Sequence, residues 1–258
     1  MQLQLDNKVA LVIGSSKGLG FAIAERLACE GARVVLAGRN EADLQAARDK
    51  ICAVTGNAQS ASAGVLDVSD VNSIAAFFDQ HIGAGPLDIL VTNSAGPKAG
   101  NIEATTMTDL DQAYQLLVAP VFELVKNALP LLKKSRNASV LAITSMSVKQ
   151  PIDGLLLSNM LRPSVAALMK SLSHTLGPLG IRCNTILPGW IDTDRSKALL
   201  SSGHAQFDRA LVEQQIPLRR IGTPEEFANA ATFLVSPAAS YVNGVMLAVD
   251  GGLITALS

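Results

Sequence analysis

The stretch Val12-Ile13-Gly14-Ser15-Ser16-Lys17-Gly18-Leu19-Gly20 decides the fold. An apolar run over residues 9–13 enters it and an amphipathic run over 21–29 leaves it, so the chain reads strand, glycine turn, helix. Glycine suits such a turn because it reaches positive φ and lacks a Cβ, which lets the backbone come close to a ligand. The helix that follows presents unpaired N–H groups and the positive end of its dipole, a setting for a pyrophosphate. The spacing is GxxxGxG, not the GxGxxG of the commoner dinucleotide turn. Taken alone, the same glycines also describe a tight strand-to-helix connection that binds nothing.

Working outward, apolar β-rich runs lie at 9–13, 33–37, 63–66, 89–92, 140–144, 183–187 and 245–249. Helical patterns lie between them at 18–30, 41–54, 71–81, 110–134, 158–176 and 224–236. Most of the strand runs are apolar on successive residues, as expected for strands covered on both faces. Thr223-Pro224-Glu225-Glu226 opens the last helix as a capping box with proline at its first position. Thr108 with Asp111 is the expected cap of the fourth helix. This alternation predicts an α/β fold over residues 1–258, one domain, a doubly wound Rossmann-type parallel sheet of about seven strands with helices on both faces. No repeat, low-complexity tract or linker divides it.

The 258 residues suffice for a full core, and a net charge of −1 without a basic stripe argues against a nucleic-acid partner. Cys29, Cys52 and Cys183 lie far apart, with neither disulfide-framework nor zinc spacing, so no metal site is expected and the thiols read as reduced. Residues 1–6 carry no basic, apolar leader pattern. The uncharged stretch 227–249 is interrupted by Pro237, Ser240, Asn243 and Gly244, and reads as helix, turn and buried strand instead of a membrane span. A soluble, cytoplasmic protein without membrane association is the expectation.

In a dinucleotide fold the residue after the second strand selects the cofactor: an acid there bonds the ribose 2′-hydroxyl and repels a 2′-phosphate. Here that strand ends Leu36-Ala37-Gly38-Arg39-Asn40, and a second cation, Lys17, sits inside the glycine turn. Two cations at the adenosine ribose favour NADP(H) over NAD(H) through charge-assisted bonds, and arginine also stacks on adenine. The plainer alternative is two ordinary solvated charges. Asp67 and Val68, after the third strand, fall where the adenine edge is read. Asn93-Ser94-Ala95-Gly96 follows the fourth strand; its small residues admit a cofactor ribose, and the asparagine can tie neighbouring strands together.

From about Leu5 to Gly252 the chain resembles the short-chain dehydrogenase/reductase family, in particular its bacterial 3-oxoacyl-acyl-carrier-protein reductase-like branch. The motifs that carry the resemblance are the glycine turn, Asn93-Ser94-Ala95-Gly96, Pro188-Gly189-Trp190-Ile191-Asp192-Thr193, the segment from Ile216 to Glu226 and the tail from Asn243 to Gly252. The resemblance implies a small carbonyl or alcohol substrate and a cofactor site at Gly14, Ser16, Lys17, Gly18, Leu19, Gly20, Arg39, Asp67, Val68, Asn93, Ala95, Gly96, Arg162, Pro188 and Gly189. It also implies that Ile191 and Thr193 hold the nicotinamide amide and pyrophosphate, and that 194–212 is a substrate lid. Relatives assemble as dimers or tetramers through the long fourth and fifth helices and the last strand. Leu116, Leu117, Val121, Leu124 and Val125 form an apolar stripe that suits that pairing and burial on the sheet alike.

The family's chemistry uses a serine after the fifth strand, Tyr-x-x-x-Lys on the next helix and an asparagine on the preceding one. In this chain Ser145 matches the serine, but the tyrosine position holds Ser158, the lysine position Arg162 and the asparagine position Leu117. Arg162 still offers a cation to the ribose hydroxyls, whereas a serine hydroxyl is a far weaker acid than a phenol. Ser145, Ser158 and Arg162 are therefore the catalytic candidates. Lys149, Asp153, Ser147 and Asn159 lie close enough in sequence to face the cleft, with turn or surface roles as the alternative; Tyr114 falls on another helical face. His81, His174 and His204 sit in neither triad nor metal spacing. Two functions follow: an NADP(H)-dependent oxidoreductase of atypical mechanism, or a nicotinamide-binding sensor or structural subunit with little turnover.

Overall fold

A computed structural model describes residues 2–201 and 207–257. Seven parallel strands form one sheet in the order β3-β2-β1-β4-β5-β6-β7. They are β1 (Val9–Ile13), β2 (Arg33–Gly38), β3 (Ala61–Val65), β4 (Ile89–Thr92), β5 (Ala138–Ile143), β6 (Ile181–Pro188) and β7 (Met246–Val249). Between them run α1 (Gly18–Cys29), α2 (Glu41–Thr55), α3 (Val71–Phe77), α4 (Met107–Leu117), α5 (Ala119–Leu132), α6 (Leu156–Leu176), α7 (Asp194–Leu200), α8 (Arg209–Gln215) and α9 (Pro224–Val235).

Strand β1 explains why the strand runs are apolar without alternation. Ala10 and Val12 enter one core with Ile23, Leu27 and Phe227, while Leu11 and Ile13 enter the other with Phe77, Leu124 and Met169. Both faces are covered, so the four residues from Ala10 to Ile13 are buried and Val9 is half-buried. The order places β1 between β2 and β4: the chain leaves β1 into α1 on one face and leaves β4 toward α4 and α5 on the other. The carboxyl ends of these two strands therefore diverge into a crevice, the usual ligand position in this architecture.

Two ionic groups, the buried Asp88 and the half-buried Arg182, hold the frame. The Asp88 carboxylate accepts from Lys8 Nζ (3.1 Å), Val9 N–H (2.9 Å) and Ser135 Oγ (2.6 Å), locking the entries of β1 and β4 together. Arg182 on β6 donates to the carbonyls of Leu234 (2.7 Å), Val235 (3.2 Å), Ser236 (3.0 Å) and Val242 (3.2 Å). It thus satisfies the exposed carbonyls at the end of α9 and places a cation at the negative pole of that helix.

The structure corrects several boundaries. The fourth helix, expected as one run over 110–134, is two helices meeting at Val118. Pro120 lacks the N–H that would bond back across the junction, so the ladder breaks there. Its cap is Thr106, not Thr108: Thr106 Oγ1 accepts from Asp109 N–H, and Thr106 N–H donates to the Asp109 carboxylate (2.9 Å). The Thr106 N–H, Lys98 and the Thr106 hydroxyl together hold Asp109 at about 2, so this cap contributes above the ordinary carboxylate range and is lost as pH falls toward 2. Helix α6 starts two residues before the expected 158, and β2, β3, β5, β6 and β7 differ by one or two residues at their ends. Met107–Leu132 is long and apolar enough by composition to cross a membrane, with mean hydropathy 1.3. Here its apolar side, including Leu124, Val125 and Ala128, packs on the sheet.

Replacing Arg182 with Ala leaves four carbonyls without their shared donor and lowers stability by about 2–3 kcal/mol. Urea unfolding followed by circular dichroism should show a lower midpoint with an unchanged slope.

Candidate functional site

A cleft of about 550 Å3 opens along the carboxyl ends of the strands. Its floor begins at the glycine turn. Gly14 (φ +63°) and Gly18 (φ +61°) occupy left-handed backbone that only glycine adopts freely. Ser15, fully buried, donates its hydroxyl to Val12 O (2.8 Å) and accepts from Ala37 N–H (3.0 Å), stitching the turn to the end of β2. Lys17 precedes α1 without a side-chain cap, so the first N–H groups of the helix remain directed at the cleft. Gly20 stands behind this wall and does not line it: a Cβ there would overlap the Gly14 carbonyl. Its part is to let α1 close on β1.

At the outer end, Lys17, Arg39, Asp67 and Val68 line the cleft with Ser16 and Leu19. The hydroxyl and N–H of Ser69 hold the Asp67 carboxyl below its ordinary range, and the Arg39 charge adds to that effect. In the middle, Asn93 Nδ2 donates to Gly14 O (3.4 Å), tying β4 to the turn beside Ala95 and Gly96. The opposite wall is Pro188, Gly189, Ile191 and Thr193. Gly189 is required because a Cβ would strike Asp250, whose carboxylate accepts from Gly252 N–H (3.0 Å) and Ile254 N–H (2.8 Å) to fold the tail over this wall.

The inner end brings together Ser145, Ser158 and Arg162. Ser145 caps the short turn Met146–Val148 by accepting from Ser147 N–H (3.1 Å). Arg162 is 8 % exposed. Its Nε donates to Ser158 Oγ (3.1 Å) and its Nη1 to Thr144 O (2.8 Å), while Ser147 Oγ lies 3.3 Å from Ser158 Oγ. The four-residue spacing on α6 stacks Ser158 and Arg162 on one helical face. Burial, with a smaller effect from the charge of Arg195, lowers the Arg162 guanidinium to about 10, which leaves it a cation at neutral pH. Among the described residues no carboxylate lies within ion-pair distance of it.

Other candidates fall elsewhere. Leu117, expected at the asparagine position, is buried against Leu157 and Leu161 and offers no polar group. Asn159 bonds both the N–H (3.0 Å) and the carbonyl (2.8 Å) of Ile152 and shapes that loop. Lys149 does not line the cleft, Asp153 is exposed on the loop before α6, and Tyr114 is half-exposed. His81 packs on Phe77, His174 is exposed late in α6, and His204 lies outside the described residues. Of the expected lid over 194–212, α7 and the start of α8 are described; 202–206 lie outside the described residues. Among the described residues no group of His, Cys, Asp and Glu is arranged to hold a metal ion.

Arg195 was not singled out in the sequence, although it lines the cleft and lies flat against Gly96, where a Cβ would meet its guanidinium at 2.7 Å. Its Nη2 donates to Pro97 O (3.3 Å). Two residues after Thr193, it falls in the charged run over 192–197, the signal that could have found it. Trp190, the only tryptophan, also lines the cleft and meets Phe207 edge-on at 5.8 Å.

A family model described as enoyl-(acyl carrier protein) reductase matches residues 13–254. The chain is 32% identical to the 7alpha-hydroxysteroid dehydrogenase of Escherichia coli K12, over 97% of this chain and 95% of that protein. It is 29% identical to the 3-oxoacyl-[acyl-carrier-protein] reductase FabG of Aquifex aeolicus, over 98% of this chain and all of that one. Among solved structures, it resembles the NADPH-bound short chain oxidoreductase of Pseudomonas aeruginosa PAO1 that contains an atypical catalytic center. That likeness has a TM-score of 0.88 at 30% identity, covering 97% of this chain and 99% of the other. The L-sorbose reductase of Gluconobacter frateurii, complexed with NADPH and L-sorbose, gives a TM-score of 0.91 at 26% identity over the whole of both chains.

An unpaired cation inside the protein is held at a cost that a methionine of similar length would not carry. Arg162→Met removes that cost but leaves Thr144 O and Ser158 Oγ without their donor, so the two effects offset and Tm should move by less than about 4 °C, while ligand affinity in the cleft falls. Differential scanning calorimetry with and without NADPH measures both.

Proposed function

Because the chain belongs to the short-chain dehydrogenase/reductase family, we propose that it is an NADP(H)-dependent oxidoreductase interconverting a carbonyl and an alcohol without the family's tyrosine and lysine. One observation carries this reading: a single cleft runs from Lys17 and Arg39 at one end to Ser145, Ser158 and Arg162 at the other. The residues present fit the cofactor. The N–H groups of the glycine turn and Thr193 would hold the pyrophosphate, Lys17 and Arg39 a 2′-phosphate, and Arg162 the nicotinamide ribose. Asp67 and Val68 would meet the adenine. NADP(H), when bound, supplies or accepts the hydride.

The chain's own residues then have defined tasks. Ser145 donates a hydrogen bond to the substrate oxygen and polarises it. Ser158 accepts from Arg162 Nε, and that charge-assisted bond makes its own hydroxyl a stronger donor toward the same oxygen. Ser147, 3.3 Å from Ser158, extends a hydroxyl path for the proton. Replacing a phenol by this pair sacrifices part of the two to four powers of ten that general acid catalysis contributes. Positioning and polarisation remain, so slow turnover is the expected result.

The same replacement favours a second reading, cofactor binding with little or no turnover, in a sensor or structural subunit. NADPH oxidation read at the nicotinamide absorbance band, over a panel of ketones, aldehydes and 3-oxoacyl thioesters, separates the two. Activity that appears only in the double variant Ser158→Tyr, Arg162→Lys would leave the natural chain as the binding protein. We further propose a homodimer or homotetramer, supported by exposed Met107, Tyr114 and Phe122 on α4 and α5; sedimentation as a monomer at micromolar concentration excludes it.

Arg39→Ala should weaken NADPH binding about tenfold or more and leave NADH binding nearly unchanged, since only the phosphate bond is lost. Isothermal titration of both cofactors checks this, and an equal loss for both refutes the 2′-phosphate assignment.

A further inference from the structure

We infer that the inner end of the cleft takes a substrate carrying a carboxylate, with Arg195 as the residue that selects it against the fixed positive charge of Arg162. This names a substrate class for the oxidoreductase reading of the same cleft and rests on that reading.

Two guanidinium groups share the inner end, and neither has an acid partner among the described residues. Of the acids that line the cleft, Asp67 bonds Ser69 at the adenosine end and Asp194 lies 3.7 Å from Lys17 in an exposed pair; neither pairs with Arg162 or Arg195. Arg162 is over nine-tenths buried and spends two N–H groups on Ser158 and Thr144 O, which leaves Nη2 without a protein partner among the described residues. Arg195 donates to one carbonyl, Pro97 O, at the long distance of 3.3 Å. Arg195 is exposed at the cleft surface, while Arg162 is buried, and the two charges repel. An anion bound in the cleft they both line would relieve that repulsion.

The geometry suits a carboxylate. A guanidinium presents a planar fork that matches the two oxygens of a carboxylate, and Arg195 offers its fork beside Gly96, lining the same cleft as Ser145 and Ser158. The surrounding wall is apolar, with Leu116, Met146, Ile152, Leu155 and Leu199, so the remainder of the substrate is a short hydrocarbon skeleton. A neutral ketone would leave both cations uncompensated. In the reaction an oxo acid gains hydride at its carbonyl carbon and a proton at its oxygen to give the hydroxy acid, while NADPH becomes NADP+. The carboxylate is unchanged and serves only as a handle.

The experiment compares 2-, 3- and 4-oxopentanoate with their methyl esters as substrates for NADPH oxidation. At least one acid should exceed its ester about tenfold or more in kcat/KM, through KM, as expected for one charge-assisted pair. Arg195→Gln should collapse that ratio toward one, and Arg195→Lys should restore part of it, while NADPH titration gives the same Kd. Esters turned over as well as acids overturn the inference. So does a ratio that survives in Arg195→Gln, above all with weakened NADPH binding, because Arg195 then serves the cofactor phosphates. Trp190 supplies a readout independent of turnover. If no compound reacts, saturable quenching of Trp190 in the NADP+ complex by an oxo acid but not its ester, lost in Arg195→Gln, upholds the carboxylate site and removes the oxidoreductase reading alone. No saturable quenching by any of the acids overturns the site.

Discussion

The molecule depends on the adjacency of β1 and β4 with their exits on opposite faces of the sheet. Parallel neighbours whose connections part in this way leave a crevice that no backbone fills. The glycine turn after β1, Arg39 after β2, Asn93 after β4, Ser145 after β5 and Pro188 at the end of β6 reach that crevice from strand ends, while Ser158, Arg162 and Arg195 reach it from α6 and α7. Asp88 keeps the adjacency in place from the far end of the strands. One carboxylate there accepts from both the β1 entry and the turn before β5, so the crevice cannot widen without breaking three bonds.

Much of this was legible because its causes are local. A strand buried on both faces must be apolar at successive residues, so β1 and β4 were bounded to the residue from pattern alone. The glycine turn was equally readable, since positive φ at Gly14 and Gly18 demands that residue type. What escaped depends on partners distant in sequence. The break at Val118 follows from Pro120 but competes with an apolar stripe that runs through it. Arg182 looked like any strand-edge charge; its role comes from carbonyls more than fifty residues away. Arg195 was hidden for the same reason, because only the folded position of α7 lays it against Gly96.

The inner end of the cleft exchanges one kind of electrostatics for another. A phenol beside a lysine is a titrating pair, in which a neighbouring charge tunes a proton. Serine beside a buried arginine is a permanent dipole beside a permanent cation, and neither changes charge near neutral pH. The arrangement orients and stabilises negative charge well and donates a proton poorly. Chemistry here therefore leans on the geometry of the bound molecules more than on acid strength.

The contact between Lys17 and Asp194 joins the glycine turn to the first residue of α7 across the mouth of the cleft. Both side chains are more than two-thirds exposed, so the pair is worth little and is screened on the scale of about 8 Å at physiological salt. Ionic strength thereby becomes a property of the mouth itself. In dilute buffer the latch holds and the rim is neutralised; in concentrated salt it loosens, and α7 keeps its Thr193 cap, the Arg195 bond to Pro97 O and its packing.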